Sequence, residues 1–513
     1  MNFLDFMREA TLNLSGTSQQ RITTLLEPQK DFLYANINEW NSDAKYKEML
    51  VAQRYYTNEN DIVNRKRYYI DRKGVRQEAV NLSNSKLVHP FMRKLTNQKV
   101  NHLLGKELSL QCDNQKFSEF LSSYFDIKFL AMLKRIGKDA IVNGITWAQA
   151  YYDANGILKF KRHPSHEIKA FWADADHTTL DAIIRRYEIT EYLPDGVKKD
   201  VTKIEYYTSE GVWYYILGDK GLKDDPDRGG DVKGHFIVQQ DMLDKDSNPL
   251  LDEYGEPIVE KIQAVWDRVP FIPFKYNSDE ISLLRWIKPM VDDYDLNTSE
   301  TSNNLMDIPN SIKVVKGYDG TDKNEWSQNL AIFRTAFVGE GGDLKSLETK
   351  LDVAAIDSHL DRLRKDIYEA GNGVDTQEVS LGNASGVALR FRYVDLTSDV
   401  GDMALEFSAA LKEALWFIKV DLLNKGFGDF MNEEVEIVFN TDSIVNETEV
   451  IEDAMNSVGL ISDETIVANH PWVTDTKAEI DRIKKEKAVK LAEMQAEMRE
   501  ESQFAQEPTE DEV

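Results

Sequence analysis

The spacing of apolar and polar positions divides the chain into a helical opening, a strand-rich middle and a helical second half. Tyr46 to Tyr56 forms a charged, Tyr-rich helical stretch. Arg67-Tyr68-Tyr69-Ile70, then Asp71-Arg72-Lys73-Gly74, then Val75 onward predicts two short strands around a Gly-containing turn. From Ser83 to Leu104 an apolar stripe of Leu87, Phe91, Leu95, Val100 and Leu103 predicts a helix that Gly105 stops. A further helix is expected from about Phe125 to Val142, ended by Asn143-Gly144. From Ile145 to about Phe274 the period becomes strand-like. Thr146–Tyr152, Ile157–Lys161, Leu180–Glu188, Lys203–Thr208 and Val212–Leu217 are aromatic and β-branched, with turns such as Asp153-Ala154-Asn155-Gly156 between them. This predicts an antiparallel region with a polar excursion from Gly218 to Glu256.

After Pro270 and Pro273 the helical period returns. Ser278-Asp279-Glu280 is a start signal, and Pro289 suits the first residue of a second, long helix reaching about Met306. Ile308 to Glu348 follows as a compact segment with one β-run, Ile312 to Val315, and Gly-rich turns. The next helix has apolar residues at Val353, Ile356, Leu360, Leu363, Ile367 and Ala370, alternately three and four apart. That narrow seam suits packing against one neighbour. A polar loop, Val374 to Ser385, leads into a long helix from Gly386 to about Lys425, with Gly401 as the expected kink. Glu434–Phe439 reads as a strand, Glu447–Val458 as a short helix and Lys477–Glu500 as a charged helix before a polar, acidic tail. The fold class predicted is α+β, mainly helical.

Composition narrows the function more by exclusion than by assignment. The 513 residues carry a formal charge of −27. A protein whose main task is gripping phosphates needs a basic footprint, so that class is excluded, although loose handling of nucleic acid is not. Cys112 is the single cysteine, which excludes an internal disulfide and a Cys-based zinc cluster and fits a reducing compartment. The first ten residues lack the apolar run of a secretion signal. No apolar run is long enough to span a membrane, so no membrane contact is expected.

Enzymatic constellations fail one by one. Gly341-Gly342-Asp343-Leu344-Lys345-Ser346 lacks the Gly before Lys that a phosphate loop needs. Asp244, Asp246 and Asn248 begin like a calcium loop, but Pro249 and Gly255 stand where Gly and Glu are required. His163, His166 and His177 would bind metal only if the fold brought them together. Asp292, Asp293 and Asp295 point different ways on a helix and read as a hydrated face. No cofactor and no catalytic residue is expected.

Three motifs in order carry a resemblance. They are Asn84-Ser85-Lys86-Leu87-Val88-His89-Pro90-Phe91 through Gly105-Lys106; Pro270-Phe271-Ile272-Pro273-Phe274-Lys275-Tyr276-Asn277 through Ser299; and Ser385-Gly386-Val387-Ala388-Leu389-Arg390-Phe391. Together they resemble the portal (head-to-tail connector) proteins of tailed bacteriophages, in the branch of siphophages of Gram-positive hosts. The resemblance covers about Asp31 to Glu500.

It implies a ring, expected to be a dodecamer, at one capsid vertex, with a channel for double-stranded DNA held without sequence specificity. It also implies a regional map. Residues 1–277 would be wing, 278–307 the first stem helix, 308–348 the clip and 349–373 the second stem helix. Residues 374–385 would be the tunnel loop, 386–445 a long kinked wing helix and strand, 446–500 the crown and 501–513 a disordered acidic tail. Gln377, Glu378, Ser380 and Asn383 would touch DNA from the tunnel loop. Asp292, Asp295, Arg364 and Lys365 would meet DNA or a neighbouring subunit from the stem. Tyr318, Trp326 and Phe333 of the clip have a composition suited to docking.

The implied partners are further copies of the chain, the terminase large subunit, a head-completion adaptor, and the major capsid and scaffolding proteins. The implied location is the virion, after assembly in the host cytoplasm. Two other classes stand beside this one: a packaging enzyme subunit (nuclease or ATPase) and a capsid or scaffold protein. The missing phosphate loop and the scattered carboxylates argue against the enzyme. The helix–insert–helix order does not suggest a shell protein.

Overall fold

The computed structural model describes residues 30–504 except 71–72, 81, 193–195, 220, 242–258, 308–311, 317–340, 342, 348–351, 378–385, 441–446 and 474–475. About half of it is helix and about a quarter strand, in agreement with an α+β class dominated by helices.

The chain opens with helices α1 (Lys30–Glu39) and α2 (Ala44–Tyr56), the hairpin β1 (Tyr68–Ile70) and β2 (Arg76–Glu78), and helix α3 (Phe91–Leu104). Strand β3 (Leu108–Gln111) precedes α4 (Gln115–Tyr124) and α5 (Ile127–Asn143). Both helices begin on a side-chain cap: Asn114 accepts from Phe117 N, and Asp126 from Phe129 N. The strand-rich middle comprises β4 (Ile145–Tyr152), β5 (Leu158–His163), β6 (Ile168–Trp172), β7 (Leu180–Tyr192), β8 (Lys198–Thr208), β9 (Gly211–Gly218), β10 (Gly221–Asp224), β11 (Phe236–Asp241), β12 (Val259–Ala264) and β13 (Phe271–Lys275). Helix α6 (Leu283–Asp307), hairpin β14 (Ile312–Lys316) and β15 (Asp343–Leu347), and helix α7 (Val353–Ala370) follow. The remainder is α8 (Gly386–Asn424), β16 (Glu436–Phe439), α9 (Glu447–Asn456), α10 (Asp463–Ala468) and α11 (Thr476–Phe504).

The chain forms two compact units. One takes the residues up to Tyr46, Asn97–Ile281 and those from Thr376 on; the other takes Lys47–Thr96 and Ser282–Asp375. In the first, a five-stranded antiparallel sheet runs β10-β9-β8-β7-β6, and a three-stranded one runs β13-β4-β5. Leu33, Ile37 and Trp40 close one face of the larger sheet against Ile184, Ile204 and Trp213. The α5–β4 junction turns on Gly144, at φ +85°, where a Cβ would overlap the Glu280 carbonyl. Helix α8 runs through Gly401 without a break, with Met403, Phe407, Leu411 and Ile418 buried.

The structure departs from the sequence pattern in four places. Residues 83–90 are neither helix nor strand, and the helix expected from Ser83 starts only at Phe91. Pro90 disfavours helical backbone at His89, and the backbone donors there find other partners, described below. Pro289 lies inside one continuous helix, Leu283–Asp307, instead of opening a second one. Leu283, Leu284, Ile287 and Val291, buried on one face across the proline, hold the helix together despite the lost amide donor. The excursion after Gly218 contains β10, and β11, which pairs with β12. Finally, β16 pairs with β3, more than 300 residues away in the chain.

Candidate functional site

The two helices that the sequence reading singled out, α6 and α7, belong to the same compact unit as residues 47–96. Their chain order, helix–hairpin–helix, is preserved: β14 pairs antiparallel with β15 between them.

One face of α6 is organised by an extended segment of chain. Ser85 N donates to Asn303 Oδ1 (2.6 Å), Leu87 N to Ser299 Oγ (3.0 Å) and His89 N to Asp295 Oδ1 (2.9 Å). Alternate residues of the extended segment thus meet every fourth residue of the helix. The periods match: two extended residues advance about 6.6–6.8 Å and four helical residues about 6.0 Å. An extended segment on a helix has no neighbouring strand to satisfy its amides, and these three side chains replace one. Asp295, Ser299 and Asn303 are fully buried. Asp295 also accepts from His89 Nδ1 (2.7 Å) and Asn60 Nδ2 (2.6 Å).

The first turns of α6 carry a charge cluster. Lys288 Nζ donates to Asp292 Oδ2 (2.6 Å) and Asp61 Oδ2 (2.7 Å), and the Tyr55 hydroxyl donates to Asp292 Oδ1. Burial works against the Lys288 ammonium, but its hydrogen bonds to the two carboxylates outweigh burial and raise its pKa. Farther along, His359 Nε2 of α7 meets Asp293 Oδ2 at 3.0 Å.

On α7, Asp352 caps the first turn by accepting from Ala355 N. Leu363 and Ile367 bury the later half of the apolar seam, Ile356 and Leu360 are half-buried, and Val353 is 57% exposed. Arg364 holds Asp375 with Nε and Nη2, the latter at 2.7 Å from Oδ1, and this bond raises the Arg364 pKa. Tyr368 sits edge-on to Phe91, which is edge-on to Tyr294.

The expected site residues therefore part company. Lys365 is exposed on α7 and Gln377 is exposed after it. Asp292 and Arg364 are partly exposed and committed to pairs within the unit. Asp295 is inside, which corrects the reading of a hydrated acidic face: its oxygens are consumed by the amides and side chains of His89 and Asn60. Glu378, Ser380 and Asn383, and the clip residues Tyr318, Trp326 and Phe333, lie outside the described residues. Sequence reasoning missed the roles of Asn60, His89, Ser299 and Asn303. The spacing of Asp295, Ser299 and Asn303 at intervals of four was the available signal, together with Pro90.

The alternative chemistries have structural outcomes as well. His163 is buried, its Nε2 2.8 Å from Gln149 Oε1, and burial pushes its pKa down to about 2. His166 lies edge-on to Tyr46, and His177 bonds Glu280 through Nδ1 at 2.7 Å. Among the described residues no group of three His, Cys, Asp or Glu could hold a metal ion. Asp343 to Ser346, part of the weak phosphate-loop match, are strand residues whose backbone pairs with β14. Asp244, Asp246 and Asn248 lie outside the described residues. Among the described residues no helix is long and apolar enough to cross a membrane.

Comparison with known proteins gives a consistent result. Residues 38–490 match the family described as phage portal protein, SPP1 Gp6-like. The portal protein of Bacillus phage SPP1 is 27% identical over 478 residues, covering 92% of this chain and 89% of that protein. The portal protein of Clostridium phage phiCD119 is 25% identical over 450 residues, covering 85% and 91%. A solved structure described as the neck of a native GTA particle computed with C12 symmetry covers 74% of this chain and 89% of that one, at 10% identity. Its TM-score of 0.35 is too low to support an argument.

Proposed function

The chain belongs to the SPP1 Gp6-like family of phage portal proteins, and from that premise we propose that it forms a dodecameric ring whose central channel passes double-stranded DNA during packaging and ejection. Portal proteins are structural components of the virion, not enzymes, so the chemistry required of this chain is guidance and docking. The single observation that carries the reading is the family match across residues 38–490, which spans both helices and the hairpin between them.

In this reading α6 and α7 are the stem, and residues 308–348 between them form the clip. Tyr318, Trp326 and Phe333 would dock the terminase large subunit and later a head-completion adaptor. Residues 374–385 form the tunnel loop, with Gln377, Glu378, Ser380 and Asn383 polar enough to touch DNA without retaining it. Helices α9 to α11 belong to the crown. The exposed side of α7, with Val353, Arg362 and Lys365, faces the duplex or the next subunit; the half-covered seam suits a helix of a neighbouring copy. Asp295 serves the stem from inside by fixing the segment that lies on α6.

Electron microscopy of the purified protein tests the reading. Rings with a central hole are expected, and monomers or closed shells would overturn it.

A further inference from the structure

One short stretch reverses the sign of this acidic chain. Residues 65–78 contain six cations, Arg65, Lys66, Arg67, Arg72, Lys73 and Arg76, and two carboxylates, Asp71 and Glu78. The stretch has a net charge of +4, which leaves −31 on the rest of a chain whose total is −27.

These residues make the β1–β2 hairpin, in which Tyr68 pairs with Glu78, Tyr69 with Gln77 and Ile70 with Arg76. Every strand residue is exposed, so neither face of the ribbon is buried. Tyr68 is 43%, Tyr69 51% and Ile70 75% exposed. A two-stranded ribbon with no buried face is marginal in water, and aromatic side chains kept there are presented to something.

The cations divide by role. Arg65 pairs with Glu300, and Arg67 Nη1 donates to Ser83 O at 2.6 Å, so both tie down the base of the hairpin. Lys66, Lys73 and Arg76 are exposed. Lys66 makes a surface pair with Glu78 at 2.8 Å, a kind of contact that is readily exchanged. The Arg76 guanidinium lies 3.7 Å from the centroid of the Tyr68 ring, which braces it on the same face as Lys66.

We propose that this hairpin binds the phosphate backbone of double-stranded DNA without reading its sequence. The inference rests on the portal reading only for the presence of DNA. Two features favour a duplex over an acidic protein surface. A two-stranded ribbon fits a major groove about 12 Å wide, whose rims are phosphates. Exchangeable cations suit a regular row of phosphates, whose counterions they release. The acidity of the rest of the chain confines the attraction to this element, so the grip is local and weak.

The test uses the assembled full-length protein and a labelled 30-base-pair duplex of arbitrary sequence. The triple variant Lys66→Gln/Lys73→Gln/Arg76→Gln should bind on the order of a hundredfold more weakly at about 0.1 M salt, and its slope of log affinity against log salt should fall by about 2.7. Affinity and slope unchanged by the substitutions would overturn the proposal. So would loss of the ring with duplex binding intact, which would assign the hairpin to contact between copies. A second measurement needs no variant. Saturating duplex should protect Lys66 and Lys73 of the native protein from an amine-reactive label, and unchanged labelling would overturn the proposal. Rings that form normally while both results are negative refute the hairpin contact and leave the portal reading standing; a native protein that forms no rings refutes that reading instead.

Discussion

Asp295 is the residue whose environment changes its meaning most. In the sequence it is one of three carboxylates in four positions, indistinguishable in type from Asp292 and Asp293. In the fold it is fully buried and accepts from the His89 amide, the His89 ring and the Asn60 side chain. Asp295→Ala would take the acceptor from the buried Asn60 amide and from the half-buried His89 amide and ring, and a buried donor that loses its partner costs about 1–3 kcal/mol. The expected loss is about 3 kcal/mol of stability in the unit that contains α6 and α7, with no new exposed surface charge. Thermal unfolding at fixed protomer concentration measures it; a midpoint equal to the native one would show that the segment at 85–89 does not depend on this carboxylate. Asp292 keeps some exposure, and its Lys288 partner retains Asp61, so the same change there should cost less, chiefly through the acceptor lost to the Tyr55 hydroxyl.

At the scale of elements, the most recognisable stretch of the sequence proves to be a junction. Phe271–Lys275 is strand β13, paired along β4, and Tyr276 N donates to Gly144 O at 2.9 Å. Asn277 closes the following turn from both sides, accepting from Ile281 N (3.0 Å) and donating to Ile281 O (2.8 Å). Glu280 stands in that turn at φ +56° and receives Lys45 and His177. Gly144→Ala would force a Cβ into the Glu280 carbonyl at a backbone angle that alanine resists. We expect a loss of about 2–4 kcal/mol, read as a lower urea midpoint; an unchanged midpoint would mean that the turn moves aside at no cost. The helix end and the strand here were legible in the sequence, because Asn143-Gly144 and the aromatic, β-branched run Thr146–Tyr152 are local signals. The contacts of Glu280 were not legible, since Lys45 is 235 residues away. The same distinction explains the extended segment before Phe91. Leu87 continues the apolar stripe of the helix that follows, and only the side chains of α6, more than 200 residues later, supply acceptors that make a non-helical course better. The pair α6 and α7 was visible as two helices around an insert, whereas the division of their polar residues into buried and exposed was not.

At the scale of the whole molecule, the formal charge of −27 bears on the proposed passage of DNA. Twelve copies at −27 each would repel phosphates wherever carboxylates line the hole, which favours passage over retention. In the proposed function the loop after α7 positions DNA without binding it tightly. Val374 is buried and Asp375 holds Arg364, so the first residues of the expected loop belong to the compact unit of α6 and α7. Deletion of residues 377–384, which spares both, should leave rings intact on micrographs and abolish DNA packaging in an in vitro assay. Packaging at the native level by such rings would refute the role of the loop.

Taken alone, the sequence determined the order of elements, the α+β class, the absence of a complete catalytic motif and the likeness to portal proteins, because periodicity, caps and short motifs are written in neighbouring residues. Tertiary structure alone decided that Asp295, Ser299 and Asn303 serve as hydrogen-bond acceptors for an extended segment, that β16 completes β3, and that the β1–β2 hairpin stays exposed on both faces. The reason is physical. A backbone amide or a buried carboxylate must be satisfied, but the identity of its partner depends on which distant segment the fold brings within 3 Å.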